Sequence, residues 1–91
     1  MNRIILQAML QVAQLRAARA LLGWRQDEIA QAAKISVATI RRIESQAGPL
    51  AGYVSTLVKI QAAFEHAGIQ FIDDDELGGF GVRMAKKKRK R

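Results

Sequence analysis

The spacing of apolar positions changes period along this 91-residue chain. From Val12 to Leu22 it is helical: Leu15, Ala18 and Leu22 form a stripe, and Gly23 supplies a C-terminal stop. A short second helix opens at Gln26 and carries Ile29, Ala30 and Ala33 on one face. A third follows Ser36; at about 100° per residue its wheel turns Ser36, Ile40, Ile43 and Glu44 inward. Ala38, Arg41, Arg42 and Ser45 then face outward. A fourth helix runs from about Val54 to Ala67, with Leu57, Ile60, Ala63 and Phe64 inward, Ser55 or Thr56 as cap and Gly68 as stop. Beyond Gly68 the period shortens. Ile69–Ile72 and Phe80–Met84 flank the turn DDDELGG and read as a β-hairpin. An isolated hairpin is marginal in water, so this one is expected to pack on the helices or pair with another copy.

The second and third helices are too short to stand alone in water, so each must pack on something. Between them lies Lys34-Ile35-Ser36, and the Ser36 hydroxyl is suited to accept from a free N–H of the next turn. Two short helices joined by a turn of about 3–4 residues have helix-turn-helix geometry, which lays the second helix in the DNA major groove. The outward face offers small residues and two guanidiniums, which approach base edges closely and donate to guanine. Two arginines alone would equally mark an ordinary solvated face. The turn, the partner helix and the local charge favour DNA.

Arg19 and Glu44 break the apolar stripes they sit in. A buried charge without a partner is very costly. The economical solution pairs them, tying the first helix to the end of the third; the alternative is that both reach solvent.

Trp24 is expected to cap one end of the core. Arg25 and Gln26 open the second helix, whose free N–H groups and dipole favour a phosphate, while Asp27 and Glu28 are explained by the same dipole. Residues 46–53 form a loop in which Tyr53 reads as a core plug. His66 sits at the favourable, negative end of a helix dipole. The acidic turn lacks the glycine and distant glutamate of a calcium loop and reads as solvated. Four segments result. Residues 1–11 are an N-terminal arm or an extension of the first helix, and 12–68 a DNA-binding domain. Residues 69–85 are a hairpin and candidate dimerisation element, and 86–91 a basic disordered tail.

Composition narrows the function. The net charge of +7 comes mostly from the final run Lys86, Lys87, Lys88, Arg89, Lys90 and Arg91; residues 1–85 carry nine basic and eight acidic side chains. Within 16–59, however, seven basic residues face three acidic ones, so positive charge gathers around the third helix. The tail suits sequence-independent phosphate contact, or equally a nuclear-import signal. With no cysteine and one histidine, a disulfide frame, a zinc site and a conventional triad are excluded. No metal, cofactor or enzymatic activity is expected. No apolar run approaches a membrane span and nothing resembles a cleaved signal peptide, so the expected location is cytoplasmic.

The run LRAARALLGWRQDEIAQAAKISVATIRRIE, continuing through TLVKIQAAFEHAGI, resembles the lambda-repressor-like, Cro/C1-type (XRE) helix-turn-helix family of bacteria and phages over about residues 12–69. The ending GIQFIDDDELGGFGVRM is similar to the C-terminal hairpin of small bacterial members. The resemblance implies a mainly α, lambda-repressor-like helical bundle followed by a short hairpin. It implies base reading by Val37, Ala38, Arg41 and Arg42, phosphate contact by Gln26, Ser36 and Thr39, and an Arg19–Glu44 salt bridge. Three departures stand out: Arg25 replaces the usual Ser or Thr cap, Lys34 occupies a turn position that is usually glycine, and Val37 and Ala38 are short and suit thymine methyls. The expected function is a transcriptional regulator, a repressor that binds an inverted-repeat operator as a homodimer. The alternatives are an antitoxin or adaptor acting through a protein partner, and a nucleoid-type non-specific DNA binder.

Overall fold

A computed structural model describes residues 10–47 and 54–86. The Tyr53 core plug, residues 1–9 of the N-terminal segment and Lys87–Arg91 of the tail lie outside the described residues. The described elements are helices α1 (Val12–Leu22), α2 (Gln26–Ala33), α3 (Val37–Glu44) and α4 (Val54–His66), then strands β1 (Ile69–Ile72) and β2 (Gly81–Met84). No described helix is long and apolar enough to cross a membrane.

Each boundary has a local cause. Gln11 precedes α1 in extended conformation, φ −96° and ψ 148°, and its N–H donates to Gln14 Oε1 at 2.9 Å. Residues 10 and 11 therefore lie before the helix, and Leu10 turns into the core. Gly23 ends α1 in the left-handed region at φ 68°, and the Trp24 N–H closes back on Arg19 O at 2.9 Å. At α2 the missing Ser or Thr cap is replaced from the other side. The Arg25 N–H donates to Glu28 Oε1 at 2.7 Å, the returning half of a capping box. Lys34 adopts the left-handed conformation at φ 61°, and the Ile35 N–H reaches Ala30 O at 3.0 Å. Because α4 begins at Val54, Ser55 and Thr56 lie inside its first turn and neither caps it.

The stripes meet in one core containing Leu10, Leu15, Ile29, Ile43, Ile60 and Phe64, all buried. Burying each such large side chain contributes about 1.5–3 kcal/mol. Trp24 stacks on Phe64 with ring centroids 5.8 Å apart, and Phe71 meets Phe64 edge-on at 6.1 Å, so the hairpin shares the helical core. β1 and β2 pair antiparallel with Ile69 opposite Met84 and Phe71 opposite Val82; the second strand starts at Gly81, one residue later than the sequence pattern. Asp75 shapes the connecting turn, its Oδ1 accepting from Leu77 N at 2.8 Å and Gly78 N at 3.1 Å.

β2 packs on α1 and β1 on α4. Gln14 fastens that contact. Only 4 % exposed, it donates through Nε2 to Ile72 O at 3.2 Å and Gly81 O at 3.0 Å, while its Oε1 serves the Gln11 N–H. One amide side chain thus satisfies three backbone groups, on β1, on β2 and at the residue before α1, as burial requires.

Candidate nucleic-acid interface

The third helix is gripped at its C-terminal end by three side chains from the first two helices. Arg19 Nε donates to Glu44 Oε2 at 2.8 Å and Nη2 to Oε1 at 2.7 Å, a parallel bidentate pair. Its Nη1 also donates to Trp24 O at 3.1 Å, spending a further guanidinium N–H on the chain between α1 and α2. Gln26 Nε2 donates to Glu44 Oε1 at 3.1 Å, bringing in the start of α2. Arg16 Nη1 donates to the Glu44 carbonyl, one of the orphan acceptors at the end of α3. Arg19 is held charged more firmly than usual by its hydrogen bond to Glu44, against the opposing effect of burial.

With Ile40, Ile43 and Glu44 buried, the opposite face of α3 is turned out. Ala38, Arg41 and Arg42 are exposed. Among the described residues neither guanidinium forms an ion pair. Val37 is half-buried and packs against the core, so only part of it lies on the outer face.

Ser36 departs from the wheel: it is exposed, not inward. It precedes the first helical residue with φ −74° and ψ 149°, so helical geometry does not govern its direction. Its Oγ accepts from Thr39 N at 3.1 Å and lies 2.9 Å from Thr39 Oγ1, which places both hydroxyls at the entrance of α3. Gln26, at the first turn of α2, has its amide committed to Glu44. The Arg25 guanidinium is engaged at 3.1 Å with Asp27, and the hydrogen bond holds the Asp27 carboxyl below its ordinary range. Lys86 is exposed.

These pairings leave a sharper charge pattern than residue counts suggest. Asp27 and Glu28 lie against Arg25, and Glu44 against Arg19, which engages every acidic residue between positions 16 and 47. Lys34, Arg41, Arg42 and Lys59 have no carboxylate partner among the described residues. Two contributors escaped the sequence reading. Arg16 sits one helical turn before Arg19, and Gln14 one turn before Ala18; that spacing was the available signal.

Residues 15–64 match the family model for the helix-turn-helix. No curated protein and no solved structure matches the chain. The matched span covers more than half of the sequence and includes both short helices, the turn between them and the Arg19–Glu44 pair, so the chain belongs to the Cro/C1-type (XRE) family of DNA-binding helix-turn-helix regulators.

Proposed function

We propose that this protein is a sequence-specific, double-stranded DNA-binding repressor that occupies an inverted-repeat operator as a homodimer. The observation that carries the reading is the two-sided α3: one side anchored through Ile40, Ile43 and Glu44, the other presenting Ala38, Arg41 and Arg42. A helix held this firmly enters the major groove without losing its register against the protein. Arg41 and Arg42 read guanines there, while Ala38 and the exposed part of Val37 suit thymine methyls. Ser36 and Thr39 take phosphates at the helix entrance, with Arg25, the α2 N-terminus at Gln26 and the tail from Lys86 to Arg91 adding backbone contacts. Arg25 exchanges its Asp27 partner for a phosphate to do so.

Family membership supports the DNA-binding mode, and the proposed setting is the cytoplasm of a bacterium, with the regulator bacterial or phage-borne. Two-fold symmetry in the protein calls for half-sites about one helical turn, roughly 10 bp, apart. Repression follows from occupancy of a promoter. Selection of bound duplexes from a random pool by the full chain tests the reading. It should enrich one two-fold symmetric motif with that spacing; recovery of unrelated sequences in proportion to input would overturn it.

A further inference from the structure

A groove between α2 and α4 is lined by side chains that no DNA contact above uses. It is lined by Trp24 and by small side chains, Ala33 and Ala63 among them, and offers a volume of 490 Å³. Three basic residues, Lys34, Lys59 and His66, line it as well, and none has a carboxylate partner among the described residues. An apolar surface flanked by two lysines without carboxylate partners, with a histidine beside them, fits an apolar knob that carries acids.

This chain supplies such a knob. The hairpin turn presents Asp73, Asp74, Asp75 and Glu76 in succession, followed by Leu77, which is 94 % exposed. The Asp75 hydrogen bonds to the Leu77 and Gly78 amides give the knob a defined shape before it meets anything. None of the four acids pairs with a cation among the described residues. Within one chain the turn does not line the groove.

We propose that the acidic turn of one copy seats Leu77 in the α2–α4 groove of a second copy, with Lys34, Lys59 and His66 facing the turn's carboxylates. The contact is reciprocal, turn to groove and groove to turn, so it closes as a two-fold dimer. It names the interface of the homodimer proposed above and rests on that reading. Exposed charges attract within about 10 Å at moderate salt, so the contact weakens as salt rises while the Leu77 burial persists.

Sedimentation of the full chain without DNA tests this, with circular dichroism to verify the fold of each variant. Leu77→Asp, at a solvent-exposed position, should weaken the dimer at least about tenfold. A groove-reversed variant (Lys34→Glu, Lys59→Glu) and a turn-reversed variant (Asp73→Lys, Asp74→Lys) should each sediment as monomers, because like charges then face one another. Mixing the two reversed variants should restore dimers, since each turn then meets a groove of opposite sign. Dimers that survive in all the variants would retain the dimer and overturn this contact. A wild-type chain that sediments as a monomer would remove both. A groove-reversed variant that loses only DNA binding while remaining dimeric would assign these cations to phosphate and overturn the contact too.

Discussion

Glu44 receives both arms of the Arg19 guanidinium, at 2.8 and 2.7 Å, so the last residue of the third helix is tied to the middle of the first. The glutamate is almost fully buried and the arginine only partly exposed, so the two charges share one desolvated environment. Removing one partner strands the other. Arg19→Ala should cost about 3 kcal/mol in chemical denaturation. Replacing both residues by Met, which leaves neither charge behind, should cost clearly less. A double variant as unstable as Arg19→Ala would show that packing around the pair matters more than the charges.

Gln14 gives a second stability test. Gln14→Ala leaves the Ile72 and Gly81 carbonyls without the amide that serves them and opens space in the core. The expected loss is about 1–3 kcal/mol, and amide exchange should accelerate first in the hairpin, the element that Gln14 fastens. Unchanged protection at Gln70 and Arg83, whose amides face each other across the ladder, would contradict that role.

Lys34 pays the steric cost of a left-handed backbone with a side chain that makes no ion pair among the described residues. That conformation costs a non-glycine residue roughly 1–2 kcal/mol, and glycine adds about 0.5–1 kcal/mol of chain entropy to the unfolded state. Lys34→Gly should therefore stabilise the fold by about 0.5–1 kcal/mol. A lower denaturation midpoint would contradict this balance.

Acid titration reports the start of α2. The Arg25 hydrogen bond depresses the Asp27 carboxyl in the folded chain. A depressed acid contributes its stability above the unfolded value, about 3.9, and loses it as pH falls through the lower folded value. NMR titration should place the Asp27 midpoint below that unfolded value, and Arg25→Ala should move it upward. An unchanged midpoint in the variant would exclude the pairing as the cause.

The helices were readable because their apolar residues recur at helical spacing: Leu15 and Ala18, Ile29 and Ala33, Ile40 and Ile43, and Leu57, Ile60 and Phe64 are all buried as that spacing requires. The Arg19–Glu44 geometry was readable too, since two charges on apolar stripes have few places to go. Ends were harder. Ser36 and Gln11 sit where helical geometry stops, and backbone dihedrals rather than periodicity decide their directions. Gln14 and Arg16 were missed because their partners are backbone groups: helical spacing marks the face they sit on but not what they bind there.

The central claim is that the exposed arginines of α3 read bases. It is tested most directly by the affinity ratio between a selected operator and scrambled DNA, measured at one salt concentration for the wild type and Arg42→Ala. The ratio should fall by about 5- to 150-fold, the equivalent of one lost bidentate guanine contact of about 1–3 kcal/mol. Affinity for scrambled DNA should fall only by the share of one cation. An undiminished ratio for both Arg42→Ala and Arg41→Ala would contradict base reading by this helix.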